Sequence, residues 1–564
     1  LRLKKSLLSA TVAFIANQLL AQTPALNYAV PAAIAPGKTT KVMLHGANLS
    51  GATNLWTSFP ANATFLADSD STPVDAKTAR CQFSVPPDVP PGICALRVAT
   101  TNGVSSLQLL MIDDLPSIVE SGQNNSMTNA QQLIPPVAID GACDELSFDY
   151  YKFSAKKGQR ISFEVAAQRL GSRLDPVMRL LDAKGRELEY CDDDGVGADS
   201  RFTHRFAASG EFFLEIRDVN YQGGPQYRYR LRVGNFPLAT VAFPLGGRQG
   251  TIAKLAFAGP SVERVKPVTV SLPTNTMRLS VGLKFPGAQG SSFVNVTSSG
   301  MEEVTESEPN DSPAYPSKIG IPVVINGRFA AAQDRDLFQF DAQKDQRLVF
   351  HGKTRSLGSP CDLFMQLQKL DGSKLVEAKL TGADEGTITN TFKEAGTYFL
   401  MLEELNQRGG ADLAYRVEVE ALRPGFALSV ETEKVEATNG GTFELKVLVT
   451  RRDYDGPIAL SLDGVGDGFE LEDLVIAEKK TNTVLKAKVP SRFALGQMMN
   501  FSVTGKARIG NEDVTATAST MPALHALFPN MPYPPAELDG LICLGIKSPT
   551  AKSTEEKPSG KKRK

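Results

Sequence analysis

Apolar and polar residues alternate in short runs along most of the chain. In Arg160-Ile161-Ser162-Phe163-Glu164-Val165 every second side chain falls on an apolar face, and Phe212-Phe213-Leu214-Glu215-Ile216 and Phe443-Glu444-Leu445-Lys446-Val447 follow the same rule. A period of two marks a strand with one buried face. Turn signals separate the runs: Lys184-Gly185, Asp371-Gly372, Asn439-Gly440-Gly441 and Asp455-Gly456-Pro457. No stretch carries the period of a long amphipathic helix. The pattern predicts an all-β chain of tandem β-sandwich modules, jelly-roll-like and immunoglobulin-like.

One pattern occurs twice. Asp149-Tyr150-Tyr151-Lys152-Phe153 returns as Asp336-Leu337-Phe338-Gln339-Phe340, and Gln159-Arg160-Ile161 as Gln346-Arg347-Leu348. Leu174-Asp175 becomes Cys361-Asp362. Gly210-Glu211-Phe212-Phe213-Leu214 becomes Gly396-Thr397-Tyr398-Phe399-Leu400, and Asn220, Gly223, Gly224 and Tyr229 match Asn406, Gly409, Gly410 and Tyr415. Self-similarity of this kind means two copies of one domain. The offset exceeds the length of the repeat, so another module lies between the copies.

With 564 residues the chain is long enough for several cores. Hydrophobic residues at 42% and charged residues at 22% argue against bulk disorder, and a net charge of −1 gives no global pull toward nucleic acid or anionic membrane. Arg2, Lys4 and Lys5 precede an apolar run from Leu7 to Leu20, with a cleavage site predicted after Ala21. This is the pattern of a secretion signal, with an uncleaved anchor as the alternative, so the chain is expected in the periplasm, at the cell surface or outside. No later segment is long and apolar enough to span a bilayer. Six cysteines form no C-x-x-C pair. Export permits disulfides, with Cys81–Cys94 and Cys143–Cys191 as the pairs to test; free buried thiols are the alternative.

Each copy resembles the bacterial pre-peptidase C-terminal domain, a jelly-roll-like β-sandwich. The resemblance rests on Asp149 to Phe153, Leu174-Asp175-Pro176 and Gly210 to Phe213 in the first copy, and on Glu308-Pro309-Asn310-Asp311, Asp336 to Phe340 and Gly396 to Phe399 in the second. Pro36-Gly37 and the run to Leu49 resemble the opening of an IPT/TIG-type immunoglobulin-like domain, and Phe243-Pro244-Leu245-Gly246-Gly247 repeats it loosely. The expected organisation is a signal peptide (1–21), an IPT/TIG-like domain (22–115), the first copy (116–235), a small immunoglobulin-like domain (236–305), the second copy (306–421), an immunoglobulin-like sandwich (422–520), and a Pro-rich then basic flexible tail (521–564).

Candidate chemistry is sparse. There is no G-x-S-x-G elbow, no H-E-x-x-H helix and no phosphate loop, and the histidines His45, His204, His351 and His525 fall in four separate modules. Calcium is the sharpest expectation, since it takes about six to eight oxygen ligands. Glu306, Glu308, Asn310 and Asp311 crowd four oxygen-bearing side chains into six positions, with Asp334 and Asp336 available to complete the set. The resemblance implies the same site: the related collagen-binding domains of bacterial collagenases use an E-x-E-x-N-D segment with later aspartates for calcium. Glu306, Glu308, Asn310 and Asp311 match that segment, while the spacing to Asp334 departs from it. An acidic, solvated linker is the alternative.

In the first copy Glu120, Gly122, Asn124 and Asn125 stand in these places, so two carboxylates are lost. Its Asp192-Asp193-Asp194 run offers a second calcium candidate, with Asp192, Asp194 and Asp199 as ligands, against a solvated hairpin loop. The second copy has only Asp384-Glu385 there. The basic end, Lys561-Lys562-Arg563-Lys564, reads as a solvated terminus.

These features predict a secreted, non-catalytic binding or scaffold protein, calcium-stabilised, with an unknown protein or polysaccharide as surface ligand. The alternative is an accessory to an extracellular or periplasmic peptidase, because the resembled family commonly trails secreted peptidases. A polysaccharide-degrading enzyme would need paired carboxylates across a cleft, and none is marked out.

Overall fold

Strands form where the alternation places them. The computed structural model describes residues 22–66, 76–193, 197–274, 277–378 and 385–549. The expected signal peptide, Asp194, Asp384 and the Lys-rich end lie outside the described residues. Arg160–Ala166, Gly210–Asp218 and Thr442–Arg452 are strands. Among the described residues Met521–Leu527 is the one α-helix, and no helix is long and apolar enough to cross a membrane. The chain is all-β, built of tandem β-sandwich modules.

The two repeats share one topology, strand for strand. In the first, one sheet runs Ser117–Val119, Val137–Ala142, Arg228–Gly234, Arg160–Ala166, Arg201–Arg205, and the facing sheet runs Gln131–Gln132, Asp149–Ala155, Gly210–Asp218, Pro176–Asp182, Glu187–Cys191. In the second, the sheets run Glu303–Thr305, Val323–Arg328, Ala414–Ala421, Arg347–Lys353, Thr387–Thr391 and Ser317–Lys318, Arg335–Ala342, Gly396–Glu404, Leu363–Lys369, Lys374–Glu377. Inward positions of both sheets meet in each core: Tyr151, Phe153, Phe163 and Leu214 in the first, Phe338, Phe340, Phe350 and Leu400 in the second. Glu303–Thr305 pairs in parallel with Val323–Arg328. The second repeat therefore starts a few residues before the expected boundary at 306.

The modules around the repeats are smaller. The first pairs a four-stranded sheet with a second sheet around Val42, Leu44, Phe83, Leu96 and Leu110. The middle module has two three-stranded sheets around Leu255, Val281 and Val296.

The C-terminal expectation needs correction. Residues 521–549 are not a flexible tail. Ile542–Lys547 runs parallel to Lys434–Thr438 and antiparallel to Met498–Ile509, completing the last sandwich. Its first five residues are buried. Leu524, Phe528, Met531 and Leu538 pack on Ala95, Leu107 and Leu109 of the first module. The prolines there lack an N–H for regular ladders, but the apolar residues between them still find a core. The same two modules are joined by a buried ion pair, Arg97 to Glu433 at 3.0 Å.

All six cysteines carry free thiols, so neither Cys81–Cys94 nor Cys143–Cys191 is bonded. Cys81 donates to the Val42 carbonyl and Cys94 to that of Leu110. Burial pushes the Cys81 thiol up to about 12 and the Cys543 thiol to about 11, so both stay protonated and unreactive.

Candidate metal site in the second repeat and its filled counterpart in the first

The acidic segment before Val323–Arg328 folds against the first residues of Arg335–Ala342. Three of the predicted ligands converge: Glu308, Asp334 and Asp336 each offer a carboxylate oxygen, and these oxygens lie within 4.8 Å of one another. Glu306 stands behind them. Its Oε1 accepts the Arg328 N–H at 2.7 Å, and the Tyr415 hydroxyl sits between its Oε2, at 3.0 Å, and Asp336 Oδ2, at 2.6 Å. Glu308 accepts the Asn310 N–H at 3.0 Å, and Asp334 accepts that of Ala330 at 2.8 Å. Asp311 is exposed; it does not join the converging trio, although its charge reaches Glu308.

The polar balance of this cluster is incomplete. Asn310 is fully buried, yet its Oδ1 and Nδ2 have no partner, and Asp336 Oδ1 has none either. Buried polar atoms are almost always hydrogen-bonded, so three orphans in one place are exceptional. No arginine or lysine forms an ion pair with Glu306, Glu308, Asp334 or Asp336 among the described residues. Burial pushes Glu306 up to about 7. Burial and the neighbouring Glu306 push Asp336 up to about 9. Desolvation, with Asp334 and Asp311 nearby, raises Glu308. Crowded oxygens, no counter-charge and an unsatisfied amide fit a hard cation held by Glu308, Asn310, Asp334 and Asp336.

Tyr415 and Gly327 belong to this site and were not assigned to it from sequence. A Cβ on Gly327 would collide with the Tyr415 hydroxyl and Glu306. The signal was present: the tyrosine is the last matched position of the repeat, and Gly141 and Gly327 occupy equivalent strand positions opposite Tyr229 and Tyr415.

In the first repeat the same place is filled from within. Tyr151 stands where the second repeat has Phe338, and its hydroxyl lies 2.9 Å from Glu120 Oε1 and 2.5 Å from the Tyr229 hydroxyl. Tyr229 donates to Asp149 Oδ2 at 2.8 Å, and Asn124 Nδ2 donates to Glu120 at 3.0 Å. Gly122 supplies no carboxylate. Burial and Glu120 still push Asp149 up to about 8, but Tyr229 and the Cys143 thiol hydrogen-bond it.

In the second predicted calcium cluster the described aspartates already have partners. Asp199 is buried and committed: it accepts the backbone N–H groups of Ala167 and Gln168 and pairs with Arg169 at 2.8 Å. Asp192 accepts from its neighbour Asp193 and from the Tyr190 hydroxyl. Asp194 lies outside the described residues. An aspartate that already caps backbone and pairs with arginine has no oxygen to spare for a cation.

The first repeat has instead a buried ion network. Arg230 holds Asp140 at 3.0 Å and Asp113 at 2.7 Å, and Arg232 bridges Asp113 and Glu164 while donating to the Ser291 carbonyl at 2.6 Å. Burial would raise Asp113 and Glu164. Arg232 and Arg230 nevertheless hold Asp113 below its ordinary range, and Arg169, Arg232 and Arg201 hold Glu164 down at about 2. The network thereby ties the first module, the first repeat and the middle module together.

Comparison with known proteins adds little detail. No protein-family model matches the chain. A probable subtilase-type serine protease of Deinococcus radiodurans is 38% identical over 73 residues, which are 13% of this chain and 10% of that protein. The chain thus spans about a tenth of the length of this curated relative. Among solved structures, the pre-peptidase C-terminal domain of the Bacillus anthracis collagenase aligns over 20% of this chain and 100% of its own, at 14% identity and a TM-score of 0.17. A periplasmic inhibitor of g-type lysozyme from Aeromonas hydrophila aligns over 19% and 96%, at 10% identity and a TM-score of 0.15.

Proposed function

We propose that this chain is an exported, non-catalytic assembly of β-sandwich modules that binds or displays a protein or polysaccharide partner, with calcium locking its second repeat. The observation that carries the calcium reading is the buried Asn310, unpartnered at both amide atoms, beside the partnerless Asp336 Oδ1 and the converging carboxylates of Glu308 and Asp334. Calcium would neutralise the carboxylates and take the free oxygens. The non-catalytic reading is supported by the spread of the histidines: His45 stacks on Tyr28, His204 pairs with Glu189, His351 contacts Thr387, and His525 lies on the C-terminal helix. Export is supported by the N-terminal charge and apolar pattern.

Calcium titration calorimetry on the full chain, beside a Glu308→Ala, Asp336→Asn variant, tests the calcium reading. Saturable heat that disappears in the variant is expected. Absence of heat together with an unchanged melting temperature overturns it.

A second reading, an accessory of an extracellular peptidase system acting in trans, is favoured by two observations. The repeats resemble the pre-peptidase C-terminal domain, and a 73-residue stretch matches a subtilase-type protease. Affinity purification of the tagged full chain from its own culture is expected to bring down a peptidase; recovery of the chain alone counts against it.

A further inference from the structure

A cavity of about 320 Å³ lies where the first repeat, the middle module, the second repeat and the C-terminal segment meet. Four arginines from three modules line it: Arg169, Arg201, Arg278 and Arg355. Three are engaged. Arg169 donates to Asp199 at 2.8 Å and to Glu164 at 3.1 Å. Arg201 donates to the Ala239 carbonyl and to Thr240 at 2.9 and 2.8 Å. Arg355 pairs with Asp362.

Arg278 differs from the others. Among the described residues its side-chain hydrogen bond runs from Nη2 to the Ser356 carbonyl at 2.9 Å, and its Nε is buried with no partner. It forms no ion pair with any described carboxylate. Burial lowers its pKa, opposed by the charges of Glu537, which also lines the cavity, and Glu385. A desolvated guanidinium without a carboxylate is costly to keep charged, and its planar fork matches two oxygens of one anion. Phe293, Leu357 and Met531 add apolar wall. The volume falls at the small end of the range for ligand sites, about 300–1,000 Å³.

We propose that this cavity binds a small organic oxyanion, a carboxylate or phosphate group on a compact apolar body, with Arg278 as its charged anchor. The headgroup meets the Arg278 guanidinium, and the body lies against Phe293, Leu357 and Met531. Because the walls come from separate modules, the ligand also ties those modules together.

Benzoate and phenyl phosphate, titrated into the full chain at constant ionic strength, test the site and separate the two headgroups. Saturable binding of at least one is expected, with a rise in melting temperature. Arg278→Gln is expected to weaken it roughly tenfold or more, the cost of one charged hydrogen-bonded contact. Arg278→Lys keeps the charge but loses the fork, and is expected to fall between the two. Should the Gln variant not fold, the Lys variant decides. No saturable binding of either probe, or equal affinity in wild type and the folded variants, overturns the proposal.

Discussion

The two repeats have the same strand order and the same Glu, Asp and Tyr at one corner, yet they settle those charges in opposite ways. In the first, Tyr151 and Asn124 reach the Glu120 carboxylate, Tyr229 reaches Asp149, and no acidic residue stands at position 122. In the second, Phe338 brings no hydroxyl, Glu308 and Asp334 add two carboxylates, and the side-chain amide of Asn310 is left without partners. One aromatic oxygen and two acids separate a corner closed by hydrogen bonds from a corner of converging carboxylates with unpartnered polar atoms. The anchoring differs too. The first repeat is pinned by Arg230 and Arg232 between Asp113, Asp140 and Glu164, whereas Arg416 of the second meets Glu303 at 2.6 Å and the neutral Asn326 at 3.2 Å.

The largest expected effect breaks the anchoring. Asp113→Ala strips a carboxylate from two buried arginines and should cost about 3–5 kcal/mol, read from denaturant unfolding. Glu303→Ala strips one arginine and should cost less; an equal or greater loss would erase the contrast in anchoring.

Calcium sharpens the contrast between corners. At a hundredfold excess over its Kd, calcium should add about 2.7 kcal/mol to the stability of the chain, seen as a rise in melting temperature. Asp336→Asn should abolish the rise and Asp149→Asn should leave it intact. A rise that depends on Asp149 instead would place the cation in the wrong repeat.

The pH dependence follows from the same corner. Glu306 at about 7 and Asp336 at about 9 lie above their unfolded values near 4. Between those limits the folded chain holds more protons than the unfolded one, so metal-free stability should fall as pH rises from about 4 through 9. Calcium displaces those protons, so its affinity should rise over the same window. Melting curves in chelator at several pH values read the first trend, and calorimetry reads the second.

The smallest effect is the exchange of one oxygen. Tyr151→Phe should cost about 1–2 kcal/mol by leaving Glu120 less satisfied. Phe338→Tyr should weaken calcium binding by giving the second corner the internal partner it lacks. Unchanged affinity in Phe338→Tyr would mean the hydroxyl does not explain the difference between the repeats.

Much of this was legible along the chain. Alternation marked the strands at Arg160–Ala166 and Thr442–Arg452, and the 187-residue offset from Asp149 to Asp336 marked the repeat. Glu308, Asn310, Asp334 and Asp336 were named from spacing and oxygen count. Other features were not legible. Tyr415 reaches Asp336 across 79 residues, and Asp199 turned out to cap a backbone turn and pair with Arg169. The prolines at 529–535 read as a flexible tail because composition reports local chain preference, while the buried Phe528, Met531 and Ile542–Ile546 took their order from distant sheets.

The sequence by itself determined the all-β class, the doubled domain and the crowding of acids before the second copy, because each depends on residues close together in the chain. Only the tertiary structure decided which acids face one another, which are answered by arginine or tyrosine, that the thiols stay free, and that an arginine-lined cavity closes between modules. Those outcomes depend on burial and on partners far apart in sequence. Desolvation sets what an unpaired charge costs, and packing alone determines where that charge is desolvated.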